Sequence, residues 1–195
     1  MVILITGASH TGKTLLAQRL LEACGYPYLS VDHLKMGLIR SGNTPLTPED
    51  DDALTGYLWP ILREMVKTAI ENRQNLIVEG CYIPAAWRRD FDDAYLPHIR
   101  FVCLAMTEDY IDARFEAILA HGNDIEQRLY EPTFTAERLK RENRAYIDAC
   151  RAAGESAALI DGDYSRAIAA LPLWKELSSG SGNRGSADGE GKSAL

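Results

Sequence analysis

Eight consecutive residues near the amino terminus, Gly7-Ala8-Ser9-His10-Thr11-Gly12-Lys13-Thr14, put glycine at both ends of a short loop and follow it with a lysine and a hydroxyl. This is the pattern G-x-x-x-x-G-K-[ST], and each fixed position has a chemical reason. The glycines let backbone N–H groups turn inward around phosphate oxygens with no Cβ in the way. The Lys13 ammonium neutralises charge on the outer phosphates, and the Thr14 hydroxyl can ligate Mg²⁺. The chemistry implied is binding of ATP-Mg²⁺, with Gly7, Ser9, His10, Thr11, Gly12, Lys13, Thr14 and Leu15 as the nucleotide-binding set. His10, at a free position of the pattern, is expected to face solvent rather than act as a base.

Two acids stand at the ends of apolar runs, where ligands of open α/β sheets bind. Asp32 follows Tyr28–Val31 and can orient or deprotonate a phosphoryl acceptor, or merely cap the helix it opens. Glu79 ends Asn75–Glu79 and can hold the Mg²⁺ water shell beside Thr14, or be an ordinary strand-end acid. Lys35 and Arg40 are candidates to bind an acceptor's anion; Arg88 either does the same or is simply solvated. Between two helices, residues 120–134 form a candidate lid with Gly122 as hinge. There Arg128 is the best choice for a cation that closes over transferring charge. Arg114, Arg138, Arg141 and Arg144 flank it, each as readily paired with a nearby Glu. The run Glu49-Asp50-Asp51-Asp52 reads as a solvated helix start, since consecutive carboxylates point around a helix rather than at one ion.

The elements that must position these groups alternate. Met1–Ile5 is a continuous apolar run, as in a strand buried on both faces of a parallel sheet. Lys13–Cys24 carries apolar residues at helical spacing and stops at Gly25. Tyr28–Val31, Asn75–Glu79, Ile99–Ala105 and Ala158–Ile160 read as further strands. Helices are expected from Asp32 to about Arg40, from the Thr47-Pro48-Glu49-Asp50 start signal to about Asn72 with Pro60 dividing or kinking it, from Thr107 to about Ala120, from Thr135 to Ala153, and from Ser165 to Leu177. Such alternation predicts an α/β fold with a parallel sheet covered on both faces.

At 195 residues the chain suits one domain, 1–177, followed from Ser178 by a Gly- and Ser-rich tail expected to be disordered. A net charge of -7 argues against general nucleic-acid binding, which needs a basic footprint. The four cysteines form no C-x-x-C pair, which speaks against zinc or redox motifs and for small buried hydrophobes. No basic leader precedes the first apolar run and no stretch nears the ~20 apolar residues that span a membrane. The expected compartment is the cytoplasm.

A GTPase would need N-K-x-D, which is absent, and an AAA-type or transport ATPase would be larger, with a longer apolar run ending in paired acids. The chain resembles the nucleoside-monophosphate-kinase-like group of P-loop kinases, including adenylate kinase and 2-phosphoglycerate kinase. The resemblance rests on the Gly7–Thr14 loop, on Ser30-Val31-Asp32-His33-Leu34-Lys35, on Val78-Glu79-Gly80 and on an Arg-bearing lid. It implies a three-layer P-loop kinase fold, a five-stranded sheet in the order 2-3-1-4-5, substrate-binding helices over about 33–73 and a helical lid. It also implies an ATP- and Mg²⁺-dependent phosphotransferase acting on a small hydroxyl- or phosphate-bearing molecule. Lys35 stands where adenylate kinases carry an Arg that holds the acceptor phosphate, and a lysine offers a point charge rather than a planar fork. A nucleoside monophosphate acceptor is therefore the second choice, and an ATP-binding regulatory protein without transfer the third.

Overall fold

The computed structural model describes residues 1–121 and 134–180. Five parallel strands form one sheet in the order β2-β3-β1-β4-β5: β1 Val2–Gly7, β2 Tyr28–Ser30, β3 Leu76–Glu79, β4 Ile99–Met106 and β5 Ala157–Ile160. Seven helices accompany them among the described residues: α1 Lys13–Cys24, α2 Val31–Arg40, α3 Asp51–Glu71, α4 Glu108–His121, α5 Ala136–Ala152, α6 Tyr164–Ala169 and α7 Leu173–Gly180. The α/β fold and the expected strand order are both present.

The central strand explains the layering. Every residue of Val2–Gly7 is buried, and successive side chains alternate between faces. Val2 and Leu4 pack with Leu54, Leu58, Leu62 and Trp87 beneath α2 and α3. Ile3 and Ile5 pack with Leu16, Leu20, Ile168 and Leu173 beneath α1, α6 and α7. Met106, Ile111, Leu139 and Ile160 make a third cluster that seats α4 and α5 on the β4–β5 edge.

Several expected boundaries move, each for a local reason. The start signal at Thr47 is a turn rather than a helix: Asp50 Oδ2 accepts from the Thr47 amide at 2.8 Å and its hydroxyl at 2.9 Å, and α3 begins at Asp51. Pro60 is carried inside an unbroken α3. The single last helix expected over 165–177 is two, α6 and α7, because Pro172 cannot continue the first. The tail expected from Ser178 yields its first three residues to α7; residues 181–195 lie outside the described residues. The helix expected over 135–153 is α5, with Thr135 as its cap, accepting from the Arg138 amide at 3.2 Å. No helix among the described residues is long and apolar enough to cross a membrane.

Candidate active site

The phosphate loop joins β1 to α1 at the carboxyl edge of the sheet. Gly7 has φ 142° beside Leu104, its partner on β4, and a Cβ there would meet the Leu104 carbonyl oxygen at 2.1 Å. Gly12 has φ 77°, the left-handed conformation glycine tolerates, and immediately precedes α1. The Thr11 hydroxyl and the Lys13 ammonium both donate to the Ala8 carbonyl, each at 2.8 Å, so the loop is drawn tight around its own backbone. Lys13 is only 4% exposed. A cation in that position, at a helix amino terminus, suits a polyphosphate.

The loop is backed from the far end of the chain. Tyr164, at the start of α6, donates to the Gly12 carbonyl at 2.7 Å, and a Cβ on Gly12 would strike its ring at 2.7 Å. The Arg19 guanidinium lies 5.5 Å from that ring's centre. Burial pushes the Tyr164 phenol well above its ordinary range. His10, expected to face solvent, is half-buried with φ 60° and packs on Phe134, ring centres 4.9 Å apart.

Thr14 Oγ1 and Glu79 Oε2 approach to 3.4 Å across 65 residues of sequence. Register explains the meeting: Glu79 ends β3, pairing with Ile5 on one side and Ser30 on the other, and is 2% exposed. A hydroxyl and a carboxylate beside a polyphosphate cradle are hard oxygen donors of the kind Mg²⁺ takes, with phosphates and waters completing the set. The residues present therefore fit ATP-Mg²⁺. Among the described residues no cluster of three or more His, Cys, Asp or Glu forms a self-sufficient metal site.

Next to this pair lies a second polar group. Asp32 stands in the first turn of α2; Ser30, not Asp32, occupies the cap position, so capping is not its role. Lys35, one turn on, bonds Asp32 Oδ1 at 2.9 Å and donates to the Tyr82 hydroxyl at 3.0 Å. Tyr82 donates in turn to Asp51 Oδ1 at 2.8 Å. Burial, then the bond to Asp51 and the charges of Asp51 and Asp32, hold the Tyr82 phenol far above its ordinary range. Gly80 allows the close approach of α2, since a Cβ there would meet Val31 Cβ at 2.6 Å. Neither Tyr82 nor Asp51 was singled out from sequence as a site residue. The acid run does start a helix, yet its third member is recruited by a tyrosine 31 residues away, a contact no local pattern announces.

Other expected residues lie elsewhere. Arg40 is exposed in the last turn of α2, about 12 Å along the axis from Asp32 at the α-helical rise. Arg88 does not join Asp32: its Nε bonds Glu155 Oε1 at 2.5 Å and its guanidinium lies over the Trp87 ring at 4.6 Å. Gly122 and Arg128, with most of the expected lid, lie outside the described residues. Of the flanking arginines, Arg144 bonds Glu108, while Arg138 bonds Glu142 at 2.9 Å and lies 5.3 Å from the Phe134 ring that packs on His10.

Helix α5 fixes the far wall. Buried Asn143 accepts from the Met106 amide at 2.7 Å, and Tyr146 donates to the Cys81 carbonyl at 2.6 Å. Both bonds tie the helix to the strand ends that carry the site. Of the four cysteines expected to be buried, Cys103 and Cys150 are and Cys24 and Cys81 are only half-buried; the Cys103 and Cys150 thiols lie against one another, which raises the pKa of Cys103 and lowers that of Cys150.

The fold recurs in solved structures. A gluconokinase from Sinorhizobium meliloti is 20% identical, with 93% of this chain and 97% of that one covered at a TM-score of 0.52. A sugar kinase from Janibacter sp. is 18% identical, with 92% and 96% covered at 0.53. A deoxyadenosine kinase from M. mycoides is 14% identical, with 92% and 100% covered at 0.56. At such identities the likeness is one of fold. No curated protein matches the chain. One family model, described as AAA domain, matches residues 2–115, which hold the phosphate loop, Asp32 and Glu79. The match corrects the expectation, drawn from size and from the lack of a longer apolar run ending in paired acids, that the chain is not of AAA type. This chain thus belongs to that AAA domain family of P-loop proteins, in a version carrying the five-stranded kinase sheet.

Proposed function

We propose that the chain is an ATP-dependent kinase that transfers the γ-phosphoryl group to a small hydroxyl- or phosphate-bearing molecule. One observation carries the reading. The Lys13–Thr14–Glu79 group and the Asp32–Lys35 pair stand side by side at one sheet edge, through strands β1, β3 and β2. A nucleotide site alone needs only the first group; an acid held on the neighbouring strand end suits a second substrate.

In this reading Lys13 and the loop amides clamp the phosphates, and Thr14 with Glu79 hold Mg²⁺, which neutralises phosphate charge when bound. Asp32 Oδ1 takes the Lys35 ammonium, and Oδ2 receives the proton of the acceptor hydroxyl. The acceptor oxygen bonds the γ-phosphorus as the bond to the β-phosphate oxygen breaks, and ADP leaves. Arg128 closes over the transferring charge and excludes water.

Calorimetry with ATP and Mg²⁺, paired with ADP release in the presence of acceptor pools, tests it. The wild type is expected to bind ATP, and Lys13→Ala to weaken binding by at least about tenfold, as for loss of a desolvated charge contact. Turnover that survives Lys13→Ala removes the proposal.

A further inference from the structure

The group that Asp32 forms with Lys35, Tyr82 and Asp51 is acidic. Between Val31 and Pro60 the chain carries five carboxylates, four of them in Glu49–Asp52, against only Lys35 and Arg40 as fixed cations. Arg40 is exposed at the far end of α2, and Arg88 is committed to Glu155. Lys35 is therefore the one fixed cation that the described residues set beside Asp32, and its charge is already met. Its ammonium bonds Asp32 at 2.9 Å and reaches, through the Tyr82 hydroxyl at 3.0 Å, toward Asp51, which Tyr82 bonds at 2.8 Å. Two carboxylates and one ammonium leave this group net negative.

A second, separate observation is a buried hydroxyl two residues before Asp32. Ser30, at the strand end opposite Glu79 and two residues before Asp32, is 3% exposed, and its hydroxyl has no hydrogen-bond partner among the described residues. A buried hydroxyl is left in this state at a cost unless something bonds it, and a neutral hydroxyl can both donate and accept.

We infer that the phosphoryl acceptor carries no negative charge: it is a hydroxylated molecule, uncharged or amine-bearing, rather than a carboxylate or a phosphate ester. The inference rests on the kinase reading above and narrows it. On this inference Lys35 serves to orient Asp32, in place of the anion-binding role expected for it together with Arg40. Phosphate esters and carboxylates are normally held by planar arginine forks, and among the described residues no arginine joins this group. An anionic acceptor brought against Asp32 and Asp51 meets like charge.

The full-length protein, with saturating Mg²⁺-ATP, is assayed for ADP release against matched acceptors: glucose, glucosamine, gluconate and glucose 6-phosphate, and adenosine, cytidine and their 5′-monophosphates. Each is also titrated by calorimetry in the presence of a non-hydrolysable ATP analogue. The expected result is binding or turnover by an uncharged or amine-bearing member, at least about tenfold better than its anionic counterpart, and a smaller gap in Asp51→Asn. Preference for an anionic member overturns the inference, and so does failure of every uncharged and amine-bearing member to bind. If the ATP analogue itself gives no heat, the kinase reading falls; if it binds and an anion is preferred, only the present inference falls.

Discussion

Replacing Tyr82 by Phe keeps the buried ring and deletes one hydroxyl that both accepts from Lys35 at 3.0 Å and donates to Asp51 at 2.8 Å. Hydrogen bonds to charged groups contribute about 1.5–3 kcal/mol each. The two losses are unequal here. Asp51 is exposed and regains water, so its bond is largely replaced; Lys35, with a side chain 13% exposed, keeps Asp32 but is left with a buried donor. The expected destabilisation is therefore about 2 kcal/mol, close to one full charged bond rather than two. For a domain of this length that lowers Tm by about 4–8 °C. Urea unfolding followed by fluorescence, with the slope compared to detect any change in the unfolded state, measures the first figure directly. In the same variant ATP binding is expected to stay within about twofold, because Lys13 and the phosphate loop do not touch Tyr82. A loss below about 0.5 kcal/mol refutes the claim that the Asp32–Lys35–Tyr82–Asp51 chain is a coupled network, that being the scatter of ordinary surface substitutions.

Gly80→Ala drives a Cβ against Val31 Cβ, 2.6 Å away, and is expected to cost about 1–3 kcal/mol, partly restored in a Val31→Gly background; thermal unfolding of the single and double variants checks it. Glu79→Gln preserves shape but removes the charge beside Thr14, so kcat is expected to fall about 100-fold or more while ATP still binds, read from steady-state kinetics and calorimetry. Tyr82, Tyr146 and Tyr164 all have phenols pushed up from an ordinary value of 10.0, mainly by burial. Above that pH the unfolded chain releases these protons while the folded chain keeps them, so stability is whole below pH 10 and falls above it. Each phenol adds up to about 1.4 kcal/mol per pH unit to the decline, and Tyr82→Phe should show a shallower one in unfolding experiments from pH 9 to 11.

Much of the nucleotide side was legible in the sequence because its constraints are local. The Gly7–Thr14 loop and the bounds of α1 each depend on residues within a few positions of one another. The acceptor side was legible only in outline. Asp32 and Glu79 could be placed at strand ends, but the partners that define them arrive from far away in the chain, as Tyr82 and Asp51 do. Asn143 was hidden for a similar reason: an Asn among the charged residues of α5 gives no sign that it will be buried and bonded to the Met106 amide. Errors at helix starts were of another kind. Thr47-Pro48-Glu49-Asp50 carries the residue types that open helices, and those same types form an isolated turn when Asp50 folds back on Thr47.

The hydroxyl that Tyr164 lends to Gly12 spans 152 positions of the chain. On the ribosome the glycine-lysine turn emerges ahead of Tyr164 and waits, without its backing ring, while the strands and helices between them are synthesised. Nascent chains stalled before residue 164 should carry the Gly7–Thr14 loop, Asp32 and Glu79 and still hold ATP poorly, so the ability to grip the nucleotide comes only with a ring translated long after the loop that it backs.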